Sequence, residues 1–409
     1  MPRTLWLLVA GGLALRLTWA VYLGGGIDPR LPDQHEYLQI ARNLLDSGEM
    51  KFTDARFGRE VRAYRMPGYP LLVAACGGKP QMVRLAQAVI DASTILAVWL
   101  TASLWLERRW ALAAAGFITF SPLQVYFCGL VLSETMLLAV VVWGIWLLAS
   151  RPNYLWGLSL LSVAPLVRPS ALGVGIVLGL AAPILHRGHR PADGNARRLR
   201  LPAGASAVVL TAVALLPWAL RNRMVLGEWV WLTTNGGLTL MDGFHPDATG
   251  ASDQRFVLSP RYAAGRTIAD EVERDRWYRG EALDWARLTW CEDPARLVGL
   301  TLAKTARTWS PIPLSEDYSA NRLHVYVGLA YYVPVFVMGI VGAAFGGRGA
   351  CGSAQPSWAA KVFLLAPALY LTAVHAGSVG SLRYRLPADP PICILAAWGA
   401  ATLASWRRG

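Results

Sequence analysis

Charge in this chain is confined to the stretches between apolar runs, and most of those runs are long enough to cross a bilayer. A helix rises 1.5 Å per residue, so about 20 apolar residues cover the roughly 30 Å of hydrocarbon. Such runs fall at residues 4–24, 81–105, 110–127, 130–150, 155–167, 170–185, 201–221, 323–345, 358–377 and 388–406. Lipid leaves no water to satisfy backbone N–H and C=O groups, so each run is expected to be a helix. The pair within 155–185 is short for two spans, with "VAPLVRPSALG" as its outer turn. The first run contains Arg16 and no small-residue cleavage site. It is expected to stay as a span rather than to be a cleaved leader. The expected fold is an all-α integral membrane protein of about ten transmembrane helices, a single membrane domain over residues 1–409.

Charged residues are 16% of the chain, where about 25% is usual in soluble domains. The net charge of +13 raises the question of nucleic acid, but the cations sort by topology. With the N-terminus inside, the inner loops hold Arg3, Arg108, Arg109, Arg151, Arg187, Arg190, Arg197, Arg198, Arg200, Arg348, Lys361, Arg407 and Arg408 against Glu107 and Asp193. That is the positive-inside bias; it places both termini in the cytoplasm and leaves no case for a nucleic-acid partner. Cys76, Cys128, Cys291, Cys351 and Cys393 are scattered, with no CxxC and no histidine at ligand spacing. Neither a zinc site nor a disulfide framework is implied.

Two long polar segments, 25–80 and 222–322, then fall on the outer face. Within the second, "DEVERDRWYRGEALDWARLTWCEDPARLVGLTLAKTARTW" reads as amphipathic helices on the membrane surface. Residues 297–309 are open between lying on the bilayer and dipping into it. In the first, "PDQHEYLQIARNLL" sets Tyr37, Ile40, Ala41, Leu44 and Leu45 on one helical stripe. Asp33 before that helix and Glu36 three residues on resemble a capping box, ending near Gly48. An aspartate there serves as a cap or as a reactive group, and the spacing alone leaves both open. His35 beside it reads as solvated.

In "AYRMPGYPLL", Arg65 precedes two prolines where the loop returns to the membrane, a rigid setting in which a guanidinium can grip a phosphate in bidentate fashion or snorkel to headgroups. Glu134 in "VLSETM", Arg168 in "LVRPS", and Arg383 and Arg385 in "LRYRLPADPP" stand at the outer ends of other runs. Ionisable groups at membrane depth are costly and default to functional candidates. Together they suit a substrate with its tail in lipid and an anionic head at the surface, with arginines on a phosphate and a carboxylate acting on a hydroxyl.

These stretches, with "LPWALRNRMVLGEWVWLTTNGGLTLMDGFHPDATG" and "DPARLVGLTLAKTARTW", occur in one order over residues 33–391. In that order the chain resembles the bacterial glycosyltransferases of GT-C fold that use lipid-phosphate sugars, alongside protein O-mannosyltransferases and lipid A aminoarabinose transferases. The resemblance implies a GT-C-like bundle with two large periplasmic loops in a bacterial cytoplasmic membrane. It implies Asp33 as the catalytic acidic residue and Arg65 as the contact to the lipid phosphate. Tyr37, Tyr69, Glu134, Arg168, His245, Lys304, Arg383 and Arg385 are the further substrate-binding candidates. Two features depart from the family. Gln34 follows Asp33 where some relatives carry a second acidic residue, and the sequence ends at Gly409 where many continue into a soluble domain. Acceptor recognition is therefore expected to fall on the two loops and the bundle.

The resemblance thus implies an inverting glycosyltransferase. Asp33 would be the general base, the donor a polyprenyl-phosphate-linked monosaccharide, and the acceptor a lipid, glycan or protein hydroxyl. No cofactor is obligatory, since the sequence has neither a DxD motif nor a histidine cluster that would demand one, and a divalent metal stays open. The competing class is a transporter or flippase of an envelope precursor. That class would set its ionisable groups near the bilayer midplane, often in two repeated halves, whereas here they gather at one face without a repeat.

Overall fold

The computed structural model describes residues 1–150, 154–186, 202–314, 321–347 and 357–407. The basic loop residues Arg151, Arg187, Arg190, Arg197, Arg198, Arg200, Arg348 and Arg408, together with Asp193 and Cys351, lie outside the described residues. The chain opens with α1 (Arg3–Leu23), α2 (Pro32–Ser47), a hairpin of β1 (Phe52–Asp54) and β2 (Arg59–Val61), and α3 (Gly68–Ala75). The bundle continues with α4 (Pro80–Ala102), α5 (Arg108–Thr119), α6 (Pro122–Cys128), α7 (Glu134–Ser150), α8 (Leu155–Ser162), α9 (Ala164–Val167), α10 (Val174–Leu185) and α11 (Ala203–Leu226). The second polar segment holds α12 (Gly236–Gly243), α13 (Ala263–Thr267), α14 (Glu271–Glu292) and α15 (Pro294–Trp309). Three helices close the chain: α16 (Arg322–Phe345), α17 (Ser357–Ala376) and α18 (Asp389–Trp406), the last preceded by a 3-10 turn, Leu382–Ala388.

Every apolar run expected to be helical contains helix. Among the described residues six stretches are long and apolar enough to cross a membrane, and a seventh arises if α5 and α6, bent by 47°, count as one span. The bend lies at Pro122, which has no N–H for the helical ladder. α7, α8–α9 and α10 with its preceding turn are shorter apolar helices. The protein is an all-α multi-pass membrane protein. α15 is amphipathic, burying Leu300, Lys304 and Thr308 at four-residue spacing, and is not among the spanning helices.

Small residues bring some helices into backbone contact. A Cβ at Gly342 of α16 would strike the Leu395 carbonyl of α18, and one at Gly399 the Met338 carbonyl. Dispersion and close approach hold helices together where lipid removes the hydrophobic drive. Elsewhere buried charge does the tying. Arg16 of α1 is fully buried and ion-paired with Asp91 of α4, and it donates to the Gly12, Thr119 and Ile118 carbonyls at 3.1 Å each, reaching α5. Arg84, at the start of α4, donates to the Gly129 and Gly24 carbonyls at 2.6 Å. That anchors the segment leading into α2.

The two polar segments form one layer with its own apolar core. Ile40, Phe52, Val61 and Tyr64 pack with Trp218, Leu238, Met241, Tyr262 and Tyr278. Backbone hydrogen bonds join them, Thr234 N donating to the Ala63 carbonyl at 3.0 Å. The expected start of α2 needs correction. Leu31 is its N-cap and makes no side-chain cap, Pro32 opens the first turn, and Asp33 lies inside that turn. The helix stops at Gly48 with φ 72°, the left-handed ending that glycine favours.

Removing one partner of a buried ion pair strands a charge and typically costs about 3–5 kcal/mol. Asp91→Leu alone should therefore lower the thermal midpoint in detergent sharply. The double variant Arg16→Met/Asp91→Leu should recover most of that loss, as a double-mutant cycle of melting curves can check.

Candidate functional site

Gln34 decides where α2 sits. It is fully buried, its Oε1 accepts from Val131 N at 3.0 Å, and its Nε2 donates to the Asp28 carbonyl at 3.3 Å. The helix start is thereby fixed against the turn before α7. One helical turn separates Asp33 and Glu36, and both carboxylates face Arg65. Arg65 Nη2 donates to Asp33 Oδ1 at 2.7 Å and Nε to Glu36 Oε2 at 2.8 Å. Glu36 also takes Arg56 at 3.3 Å. The expected capping box does not form, because its two carboxylates are engaged by arginines. The Arg65 guanidinium lies over the rings of Tyr37 and Tyr64, 5.3 and 5.4 Å from their centroids.

Three breaks between apolar helices supply the rest. Glu134 opens α7, Arg168 follows α9 in an extended conformation, and Arg383 stands in the 3-10 turn before α18. Arg383 Nη1 reaches Asp33 Oδ2 at 3.0 Å and its Nε lies 3.7 Å from Glu134 Oε1. Arg168 Nη1 donates to Glu134 Oε1 at 2.6 Å. Tyr384 binds the cluster together: Arg168 and Arg383 sit 4.9 and 5.1 Å from its ring centroid, and the His375 ring stacks on it at 4.0 Å. Residues some 350 apart in sequence thus share one charged knot.

The knot lines a cavity of about 340 Å³ that also meets Asn235, Thr239, Asp242 and Ser252 of the second polar segment. Of the ten residues expected to act on substrate, six line it: Asp33, Tyr37, Arg65, Glu134, Arg168 and Arg383. Tyr69 lies behind Tyr37, ring edge to face at 4.7 Å, and donates to Gln87 Oε1 at 2.7 Å. His245 is buried against Phe256 at 4.9 Å and accepts from Asp247 N through Nδ1 at 3.2 Å. Lys304 is buried with its ammonium 3.5 Å from the Phe244 ring centroid and, among the described residues, no hydrogen-bond partner. Arg385 is fully buried, paired with Asp389 at 3.2 Å and donating to the Thr308 and Ser310 carbonyls. It ties α15 to α18 and is not among the residues that line the cavity. His35 is exposed.

Electrostatics separates the carboxyls. Burial pushes the Asp33 carboxyl upward, but Arg65, then Arg383 and Arg168, outweigh it and hold the group well below the usual carboxylate range. Asp242 carries no ion pair among the described residues, and burial raises it to about 6 despite bonds from Ser252 and the Asp253 N–H. Burial lowers Lys304 to about 8, with Asp242 opposing. Sequence reading passed over Arg56, Tyr384, His375 and Asp242. Tyr384 was visible between two arginines; the others carry no local signal. Among the described residues no group of three or more His, Cys, Asp or Glu could hold a metal ion.

No family model matches the sequence, and no curated protein matches it. Solved structures do match. The oligosaccharyltransferase AglB from Archaeoglobus fulgidus, in complex with an inhibitory peptide and a dolichol-phosphate, aligns over 98% of this chain and 51% of its own, with TM-score 0.52 and 13% identity. The same archaeal enzyme tethered to an acceptor peptide aligns over 97% and 50%, with TM-score 0.51 and 13% identity. ArnT from Cupriavidus metallidurans bound to undecaprenyl phosphate aligns over 100% and 62%, with TM-score 0.43 and 16% identity. The chain therefore spans about half the length of the archaeal enzyme. The fold is that of the GT-C glycosyltransferases, the class the sequence motifs resemble.

Because Arg65 and Arg383 both hold Asp33 ionised, Arg65→Gln and Arg383→Gln should each raise the Asp33 pKa. Infrared carboxyl bands followed against pH, with Asp33→Asn identifying the Asp33 band, measure both shifts.

Proposed function

We propose that the protein transfers a monosaccharide, with inversion, from a polyprenyl-phosphate donor to a hydroxyl acceptor on a lipid, glycan or protein. The reaction belongs on the periplasmic side of a bacterial cytoplasmic membrane, with segments 25–80 and 222–322 outside. The observation that carries this reading is the cavity at which Asp33, Glu36 and Glu134 share Arg65 and Arg383 beside the rings of Tyr37, Tyr64 and Tyr384. The GT-C fold and the dolichol-phosphate held by the archaeal structure support the lipid-phosphate donor.

The reaction follows from competition for guanidinium. In the donor the phosphate is a diester with a single negative charge. As the anomeric C–O bond breaks, the leaving polyprenyl phosphate becomes a monoester bearing about −1.5 to −2 at neutral pH. A unit charge pair at 4 Å is worth about 4 kcal/mol at an effective dielectric near 20 and about 1 kcal/mol in water. The arginines therefore gain most at the transition state, where the second charge develops, and that differential binding is what accelerates chemistry. Each hydrogen bond they transfer to phosphate is withdrawn from Asp33. Its carboxylate regains basicity as the acceptor oxygen attacks, and it takes the hydroxyl proton. Charge moves onto the phosphate while the proton moves onto Asp33.

General-base catalysis contributes about 10²–10⁴-fold. Asp33→Ala, shown by its melting curve to be folded, should lose transfer by at least about that factor, with free polyprenyl phosphate released from a labelled lipid-linked sugar as the measurement. Normal turnover by the folded variant sinks the assignment, and donor movement across the membrane without release of free lipid phosphate marks a transporter instead.

The pH dependence has a definite sign. Paired with arginines, Asp33 titrates well below the usual range, so the acid limb of kcat/KM should lie below about pH 4. In the donor complex the phosphate shares those arginines, so the limb of kcat should lie at higher pH. Coincident limbs in the two profiles count against this coupling.

A further inference from the structure

The wall of the cavity built by the second polar segment differs from the charged knot. Asn235, Thr239 and Asp242 follow at intervals of four and three residues, so they share one face of α12 and its cap. The adjoining flank carries Leu238 and Met241 into the apolar core. α12 is clamped in place: Gly237 N donates to Asp275 Oδ1 of α14 at 2.5 Å, and a Cβ at Gly237 would strike the Asp275 carbonyl. Asp242 is buried, yet it lines the cavity. Its Oδ2 accepts from Ser252 Oγ at 2.6 Å and its Oδ1 from Asp253 N at 2.8 Å. A carboxyl has about four acceptor positions, so at least one on each oxygen is left for another partner. A group raised to about 6 by burial also offers an O–H donor in part of its population.

Short hydroxyl, amide and carboxyl groups on a rigid face suit a ligand made of hydroxyls rather than one carrying charge. The transferred sugar is joined directly to the phosphate that the arginines would hold, so it must lie within this same cavity. We propose that Asn235, Thr239, Asp242 and Ser252 form the subsite for the hydroxyl groups of the donor sugar, with Asp242 the specificity-determining residue. The proposal rests on the transfer reading above and deepens it.

The test uses the full chain in nanodiscs, with polyprenyl phosphate and the same lipid carrying glucose, mannose or galactose as probes. Wild type should bind at least one glycosylated lipid more tightly than the bare lipid and should discriminate between the epimers. Asp242→Asn should lower that preference at least about tenfold, since a site that pairs with a hydroxyl loses selectivity when its partner changes. Its affinity for bare lipid phosphate should be unchanged. Thr239→Val should lose part of the same preference, and Ser252→Ala, which leaves α12 intact, should weaken it by freeing the Asp242 carboxyl. Melting curves confirm that each variant is folded. Unchanged epimer discrimination in folded Asp242→Asn overturns the subsite and leaves Asp242 a purely structural brace for residues 252–253. No preference in wild type for any sugar-bearing lipid over the bare lipid also overturns it. Failure of wild type to bind the bare lipid phosphate overturns the transfer reading, and the subsite with it.

Discussion

Arg65 holds two carboxylates of one helix at once, and the architecture around the cavity serves to make that contact possible. Asp33 and Glu36 would repel each other across a helical turn if left alone. The guanidinium between them turns that repulsion into an anchor for α2. Arg383 and Arg168 repeat the arrangement on Asp33 and Glu134. The result is a compact, nearly compensated knot, stabilised further by the faces of Tyr37, Tyr64 and Tyr384. Such a knot tolerates burial because each charge has its partner. Under the proposed reaction it is also a poised one, since an incoming anion would exchange for a carboxylate without stranding any arginine.

The bundle positions that knot through buried polar contacts rather than through apolar packing alone. Arg84 and Gln34 draw the segment after α1 and the start of α2 onto the turn before α7. Gln87 takes the Tyr69 hydroxyl and donates to the Cys128 and Leu130 carbonyls, fixing the same turn from below. The breaks at Arg168 and before α18 then fall beside it. Irregular backbone at membrane depth is tolerated only where protein or a cavity satisfies it, and here the cavity is the place where three such breaks meet.

Much of this was legible in the primary structure. Apolar runs announced the helices, because lipid permits little else to a chain of this composition. The stripe from Tyr37 to Leu45 announced α2, and the arginines at helix ends marked positions where charge is too costly to be idle. The local reading failed where two roles look alike. Asp33 and Glu36 have the spacing of a capping box, but hydrogen bonds to their own helix lose to arginines that arrive from elsewhere in the chain. Arg383 and Arg385 stand two residues apart in one motif, yet the 3-10 turn sends the first to Asp33 and the second into the core beside Asp389. Gln34 read as a departure from a pair of acids, and the structure gives it a structural task.

By itself the sequence determined the membrane habit, the order of the helices and the residue types able to handle an anionic headgroup. Those follow from hydrophobic length, charge and spacing, which are local properties. Only the tertiary structure decided which charges meet, since ion pairs between residues 33 and 383 or 16 and 91 depend on how the helices pack. It decided as well that Asp242, unremarkable between a methionine and a glycine, shares a cavity with Asp33. The physical reason is common to both cases. A carboxyl's ionisation and reactivity are set by the groups within a few ångströms of it, and sequence separation carries no information about that distance.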